Sequence, residues 1–139
     1  MSYRVLPAAE AFWRPSNQME IDNTDLGGQL EAEKLGARLW RLKPGQASTR
    51  HRHFGQEELY LLEGSGRMRV DDDLLTLAPL DTVLVKPDSA RQLFNDTGAD
   101  QLWFVAGAPP ELANTLEMSA EQLASLYPDG PKALPPELS

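Results

Sequence analysis

Residues 44–66 read PGQASTRHRHFGQEELYLLEGSG and contain both histidines of the chain, His51 and His53. In an extended strand, residues i and i+2 point to the same face, so the two imidazoles are predicted to share one surface. Two imidazoles on one surface of a β-sheet are the start of a metal site. The alternative is that two surface histidines flank Arg52 on an exposed strand.

Two glutamates, Glu57 and Glu58, follow the histidine pair closely. Two imidazoles and one carboxylate make a facial set that suits divalent iron, manganese, nickel or zinc and leaves positions for water and substrate. Only one glutamate can face inward, because neighbours on a strand point to opposite sides. The alternative is that the two form a solvated acidic pair.

Composition narrows the range of functions. The chain has 139 residues, no cysteine and a formal net charge of -8. A chain of this length fits one domain, and the lack of cysteine excludes thiol chemistry and cysteine-ligated zinc or iron–sulfur sites. The negative charge argues against nucleic acid and anionic membranes as partners, which leaves small molecules or other proteins. The first residues do not resemble an export signal, and no apolar run approaches the roughly 20 residues of a membrane span, so we expect a cytoplasmic protein.

Short apolar or alternating runs, separated by turn residues, fill the middle of the chain. Such runs are typical of an antiparallel sandwich or barrel, and the Gly64-Ser65-Gly66 turn between two of them is interpreted as a hairpin. In QLWFVA (101–106) both faces are apolar, so this strand is expected to be covered on both sides, with a second sheet or a partner subunit on the outside. The runs are ARLWRL, ELYLLE, RMRV, LLTLA, TVLVK, RQLFN and QLWFVA.

The ends of the chain differ from this pattern. Phe12, Trp13 and Pro15 suggest a segment packed across a sheet, and residues 19–29 a loop or edge strand. After Pro109-Pro110 the composition of ELANTLEMSAEQLASLY suits helix, and Ser119 followed by Gln122 predicts a capping box. The proline-rich end, PDGPKALPPELS, is predicted to be an extended arm in which Leu134 and Leu138 are available for burial, or else a disordered tail.

The histidine segment resembles the first motif of the cupin superfamily. That motif is a glycine, five residues, His-x-His, three residues, Glu, six residues and a glycine, and this chain has Gly45, His51, His53, Glu57 and Gly64 at those places. The resemblance covers about residues 30–107. It implies an all-β fold, a double-stranded β-helix or jelly-roll barrel, commonly found as a homodimer. With the short C-terminal helical segment and extended tail, we expect one cupin domain over residues 1–139, in which residues 1–29 and 108–139 pack on the barrel.

The second cupin motif corresponds to LAPLDTVLVKPDSARQLFN and ends on the expected Asn95, but it departs from the family pattern. Leu80 replaces the initial glycine, Lys86 takes the place of the proline and Asp88 that of the turn glycine. The histidine that completes the family's metal site is Arg91. The resemblance therefore implies three metal ligands, His51, His53 and Glu57, beside a permanent cation.

The charge on Arg91 decides between two interpretations of the site. A guanidinium about 5 Å from a divalent ion repels it by roughly 6 to 7 kcal/mol at an effective dielectric near 20. Paired with Glu57 at about 4 Å, the same group would gain roughly 4 kcal/mol, partly cancelled by desolvation. That ion pair would fill the place of the metal. Alternatively, Arg91 swings outward and leaves a three-ligand metal site.

Three functions follow from these alternatives. In the first, the barrel cavity binds a small polar or anionic ligand through Arg91, His51 and His53, without a required metal. In the second, the protein is a metal-dependent enzyme of the dioxygenase, isomerase or decarboxylase type that uses His51, His53 and Glu57. In the third, the apolar faces and the arm serve only dimer contacts. The sequence leaves both catalysis and the cofactor, either none or a divalent metal, undecided.

Overall fold

Strands dominate the middle of the chain, where the alternation of apolar residues predicts them. The computed structural model describes residues 2–111 and 115–139. The short α-helices in these residues are α1 (Leu26–Gln29) and α2 (Ala120–Leu126), and single 3-10 turns cover Ala8–Glu10, Thr115–Glu117 and Pro136–Leu138. The strands are β1 (Trp13–Pro15), β2 (Asp22–Asp25), β3 (Gly36–Leu42), β4 (Glu57–Leu62), β5 (Gly66–Val70), β6 (Asp73–Leu77), β7 (Thr82–Val85), β8 (Arg91–Phe94) and β9 (Gln101–Ala108).

Within the described residues, the strands pair antiparallel in two sheets. The larger sheet has the order β1-β2-β3-β9-β4-β7 and the smaller one β6-β5-β8. The predicted hairpin at the Gly64–Gly66 turn is wrong: β7 and β9 pair with the two edges of β4, so the chain crosses to the other sheet before β5 begins. The segment at 47–51 runs along the other edge of β8, through bridges from Ala47 to Phe94 and from His51 to Arg91.

The hydrophobic core lies between the inner faces of the two sheets. Trp103 and Leu62 from the larger sheet and Met68 from the smaller one are fully buried in it. Burial of a side chain of this size contributes about 1.5 to 3 kcal/mol. Tyr60 is buried beside them on β4, and its hydroxyl lies at the polar end of the core.

The outer face of the larger sheet is also apolar. Leu102, Phe104 and Ala106 on β9 are only half-buried, while their neighbours Trp103 and Val105 face the core. Leu59 and Leu84 lie opposite each other on β4 and β7 and are 37% and 55% exposed. The second apolar face that the sequence predicts for β9 therefore lacks a full cover in the single chain.

The N-terminal strands extend the larger sheet. β1 pairs with β2, and β2 pairs with β3, so residues 13–25 form the edge strands of that sheet. The guanidinium carbon of Arg41 lies 4.4 Å from the centre of the Trp13 ring, a cation–π contact that packs the edge strand on β3.

The C-terminal region combines a capped helix with an arm. The predicted capping box is confirmed, since the Ser119 hydroxyl accepts from the Gln122 N–H at 3.1 Å and the Gln122 side chain accepts from the Ser119 N–H at 2.9 Å. Residues 112–114 of the predicted helical segment lie outside the described residues. In the arm, Pro135 is fully buried, whereas Leu134 is 50% exposed. Among the described residues no helix is both long and apolar enough to cross a bilayer.

Candidate metal centre

The two histidines are held beside β8 by backbone hydrogen bonds. His51 N donates to Arg91 O at 3.0 Å, and Arg91 N donates back to His51 O at 2.9 Å. His53 N donates to Pro87 O at 3.0 Å, so the segment stays extended through both residues. The ring centres lie 5.2 Å apart at an interplanar angle of 78°. The rings are thus neighbours, as their spacing in the sequence predicts.

The carboxylate beside the histidines belongs to Glu58, which corrects the prediction of Glu57. Single ligand atoms of His51, His53 and Glu58 lie within 4.8 Å of one another. Tyr60 faces the core from β4, so Glu58, two positions earlier, faces inward as well, and Glu57 points to the other side. The Glu57 side chain is 44% exposed and pairs with Lys86.

The ring nitrogens of both histidines are oriented by hydrogen bonds on the side away from Glu58. His51 Nδ1 lies 3.1 Å from the Thr49 carbonyl oxygen, which can only accept, and 3.1 Å from the Thr49 hydroxyl, which can donate or accept, so the carbonyl favours the proton on this nitrogen. His53 Nδ1 lies 3.1 Å from Glu111 Oε2. His53 Nε2 is buried and lies 2.8 Å from Glu58 Oε1, yet it has no partner with hydrogen-bond geometry among the described residues. Both rings can therefore keep an Nε2 lone pair for a cation that is shared with the carboxylate.

Arg91 fixes the carboxylate from the opposite side. Its side chain is fully buried, and Nη1 donates to Glu58 Oε1 at 2.9 Å. Nη2 donates to Lys86 O at 2.6 Å and Nε to Ser89 O at 3.1 Å. The ion pair expected with Glu57 is thus made with Glu58, and the guanidinium does not swing outward. All three nitrogens of the buried guanidinium thus donate a hydrogen bond, one to the Glu58 carboxylate and two to backbone carbonyls.

The protonation of the site favours cation binding. Desolvation lowers the pKa of His51 to about 4, so its imidazole is neutral at pH 7. Desolvation raises the pKa of Glu58, but the adjacent His53 ring, a hydrogen bond from the Tyr60 hydroxyl at 2.5 Å and the adjacent His51 ring outweigh it and lower the pKa to about 2. The pKa of Tyr60 is raised well above its usual value, first by burial and then by the charge of Glu58. At neutral pH the site offers a neutral imidazole, a carboxylate and a protonated phenol.

Glu111 is the site residue that sequence reasoning missed. Its carboxylate accepts from His53 Nδ1, and also from the backbone N–H groups of Phe54, Gly55 and Gln56. Desolvation raises the pKa of Glu111, but these four hydrogen bonds outweigh it and lower the pKa. No spacing rule connects a glutamate after β9 with a histidine 58 positions earlier. Only the folded chain brings the two together.

The donor set fits a divalent metal ion. Two imidazole nitrogens and a carboxylate oxygen are ligands that zinc, iron, manganese and nickel accept, and three protein ligands leave coordination positions open. The buried His53 Nε2 without a hydrogen-bond partner is the atom that a bound cation would satisfy. Together with the two antiparallel sheets around the core, the site defines a small β-barrel protein with a His-His-Glu centre.

A comparison with known protein families identifies the same kind of barrel. Residues 38–107 match the cupin domain family Cupin_2, and the chain belongs to that family. No curated protein sequence matches the chain.

Solved cupin structures share the fold. A sugar phosphate isomerase of the cupin superfamily from Silicibacter pomeroyi DSS-3 superimposes with a TM-score of 0.68 at 23% identity, over 77% of this chain and 76% of that one. A predicted oxalate decarboxylase from Thermotoga maritima gives a TM-score of 0.67 at 17% identity, over 77% of this chain and 100% of that one. A Cupin 2 conserved barrel domain protein from Salinispora arenicola CNS-205 gives 0.63 at 19% identity, over 78% and 90%. At these identities the likeness shows a common barrel.

Proposed function

We propose that this cupin binds a divalent metal ion through His51 Nε2, His53 Nε2 and the Glu58 carboxylate, and that a small polar or anionic ligand completes the coordination. The observation that carries the proposal is the orientation of the imidazoles. Both Nδ1 atoms are engaged by acceptors behind the rings, which leaves both Nε2 atoms for the side on which Glu58 lies. Hydrogen bonds behind ligating histidines are the usual support of a metal site.

Charge favours an anionic ligand at the open positions. Arg91 balances Glu58, and Glu111 adds one further negative charge behind His53. A divalent ion would therefore leave the centre with a net positive charge, which a carboxylate or phosphate oxygen neutralises. A bound divalent ion acts as a Lewis acid that polarises and orients such an oxygen. Arg91 and Tyr60 restrain Glu58 by donating to its Oε1, and Tyr60 stays protonated.

The competing function is anion binding without a metal, through Arg91 and the two histidines. Fewer observations support this function than support metal binding, because Arg91 is fully buried and already donates to Glu58 and to two backbone carbonyls. An anion would have to displace Glu58 from the guanidinium to bind there. If the bound metal also supports catalysis, the chain would be an isomerase, decarboxylase or dioxygenase. One structural neighbour is named an isomerase and another a predicted oxalate decarboxylase.

Metal analysis of the untagged protein tests the proposal. We expect close to one equivalent of iron, manganese, nickel or zinc per chain, or binding of one equivalent when the EDTA-treated protein is titrated. His51→Gln should lose this binding, because it removes one Nε2 donor. A wild-type protein that takes up no metal, but is stabilised against heat by small carboxylates or phosphates, would contradict the proposal and support the competing function.

We also propose that the chain is one cupin domain and forms a homodimer. The single domain is supported by β1 and β2 in the larger sheet and by the Gln92 side chain, which donates to Ser48 O and Ala133 O at 2.8 and 2.9 Å. The dimer is supported by the exposed apolar face around Leu59 and Leu84. The cytoplasmic location stays a prediction from the sequence.

A further inference from the structure

Glu111 clamps the loop that leads from His53 to β4. Its Oε1 accepts from the N–H groups of Gly55 and Gln56, the latter at 2.7 Å, and its Oε2 accepts from Phe54 N at 3.2 Å. The same Oε2 lies 3.1 Å from His53 Nδ1. One carboxylate from the segment after β9 therefore holds both the backbone of the loop and the ring of a predicted metal ligand.

We infer that Glu111 is a positioning residue that holds His53 in the tautomer protonated on Nδ1, which leaves the Nε2 lone pair free for a cation bound on the side of the ring that faces Glu58. An ionised carboxylate can only accept, so the ring must donate from Nδ1. A neutral imidazole that donates from Nδ1 keeps its lone pair on Nε2. The inference rests on the proposed function in one respect, since the Nε2 lone pair would bind the metal ion proposed there.

A second observation supports this tautomer independently of Glu111. His53 Nε2 lies only 2.8 Å from Glu58 Oε1 but lacks the angles of a hydrogen bond, and it is buried without another partner among the described residues. The ring thus has good donor geometry on its Nδ1 side and poor geometry on its Nε2 side. Without Glu111, the carboxylate of Glu58 would be the acceptor left beside the ring. The proton would then move to Nε2, and the lone pair for a metal would be lost.

Glu111→Gln separates positioning from mere structural support. Its amide oxygen can still accept from the N–H groups of Gly55 and Gln56. Its NH₂ group takes the place of Oε2, so it gives up the hydrogen bond from Phe54 N and requires an acceptor at His53 Nδ1. The readout is the tautomer of His53, from ¹⁵N NMR of the histidine side chains in EDTA-treated protein at pH 8. The chain has two histidines, so a His51→Gln variant assigns both sets of signals. Glu117→Gln, an exposed glutamate in the same region, is the matched control.

We expect wild type and Glu117→Gln to hold His53 protonated on Nδ1 and Glu111→Gln to hold it protonated on Nε2. Zinc and manganese affinity should fall roughly 10- to 100-fold in Glu111→Gln alone, the usual effect of losing a carboxylate behind a ligating histidine. A wild-type His53 that carries a proton on Nε2, either alone or together with one on Nδ1, would overturn the inference, whether or not the variant folds. An unchanged tautomer and affinity in folded Glu111→Gln would overturn it as well.

The two proposals fail in different ways. If the tautomer switches as expected but no variant and no wild-type protein binds metal, the positioning role of Glu111 stands and the proposed metal function falls. If wild type binds one metal ion per chain and Glu111→Gln binds it equally well with the same tautomer, the metal function stands and the positioning role falls.

Discussion

Arg91 and Glu58 form the buried ion pair that limits what the site can bind. The guanidinium also donates to two backbone carbonyls, so its position is fixed by the chain around β8 as well as by the carboxylate. The permanent charge of Arg91 weakens the binding of a divalent ion to the Glu58 carboxylate. Without Arg91, a bound metal would not share that carboxylate with a guanidinium. We therefore expect a metal affinity that is modest and adjustable by this one residue.

Replacement of Arg91 by histidine should tighten metal binding. Arg91→His removes the repelling charge and supplies a further imidazole, so we expect the dissociation constant for zinc or manganese to fall at least about tenfold, or about 1.4 kcal/mol. The variant should be less stable by about 3 to 5 kcal/mol without metal, because a buried pair loses one partner. Titration calorimetry and urea unfolding measure the two effects.

Arg91→Lys is the control for this substitution, since it keeps the charge and loses the fork of donors. It should not tighten metal binding. Equal tightening in both variants would mean that the charge of Arg91 does not weaken the site.

At the scale of single residues, the sequence predicts the histidine pair and the cation but not the correct glutamate. In ELYLLE both alternating sets contain apolar residues, so the pattern alone does not show whether Glu57 or Glu58 faces inward. The packing of Tyr60 and Leu62 into the core decides it. Glu111 is unpredictable for a different reason: its role depends on a contact between two segments far apart in the chain.

At the scale of secondary structure, local signals were sufficient for most elements. The seven apolar runs all coincide with strands, and the capping box at Ser119 begins α2. The arm was less predictable, because its anchoring depends on partners in the smaller sheet. Pro135 is buried, and Arg69 on β5 donates to Glu137 Oε1 through Nε at 2.9 Å and Nη2 at 2.5 Å.

Glu137→Gln should loosen the arm in a pH-dependent way. The hydrogen bond from Arg69 lowers the pKa of Glu137, so the stabilisation is present above the unfolded-state pKa near 4.5 and is lost as the pH falls through the lower folded-state pKa. We expect Glu137→Gln to lower the free energy of unfolding by about 1 kcal/mol at pH 7 and by less at pH 3.5. Urea unfolding at both pH values measures it.

Glu33→Gln removes the same charge from an exposed position and serves as the control. It should leave the free energy of unfolding within about 0.5 kcal/mol at both pH values. A penalty for Glu137→Gln that is equal at pH 7 and pH 3.5 would contradict the ion-pair account of the arm.

At the scale of the whole molecule, the exposed apolar face of the larger sheet is the main unsatisfied feature. Leu59 and Leu84 are both more than a third exposed, and Phe104 lies half-buried on the same sheet. Contiguous apolar surface of this kind on a folded chain indicates a contact with another molecule. A second copy of the chain is the partner that we propose.

Leu84→Glu should separate such a dimer. A charged side chain at the centre of an apolar interface is costly to desolvate, so we expect the variant to elute as a monomer while wild type elutes as a dimer. Light scattering after size exclusion gives the mass. Leu74→Glu, at a similarly exposed leucine on β6, should stay dimeric. A monomeric wild-type protein at micromolar concentration would contradict the proposed dimer.

The metal affinity of Glu57→Gln and Glu58→Gln tests the central claim most directly, because the two residues are neighbours on one strand and differ in the face they occupy. With EDTA-treated protein titrated with manganese or zinc, Glu57→Gln should bind one equivalent like wild type, and folded Glu58→Gln should bind at least about 100-fold more weakly. Circular dichroism checks that each variant is folded. Loss of binding in Glu57→Gln with binding kept in Glu58→Gln, or no binding by wild type, would contradict the account.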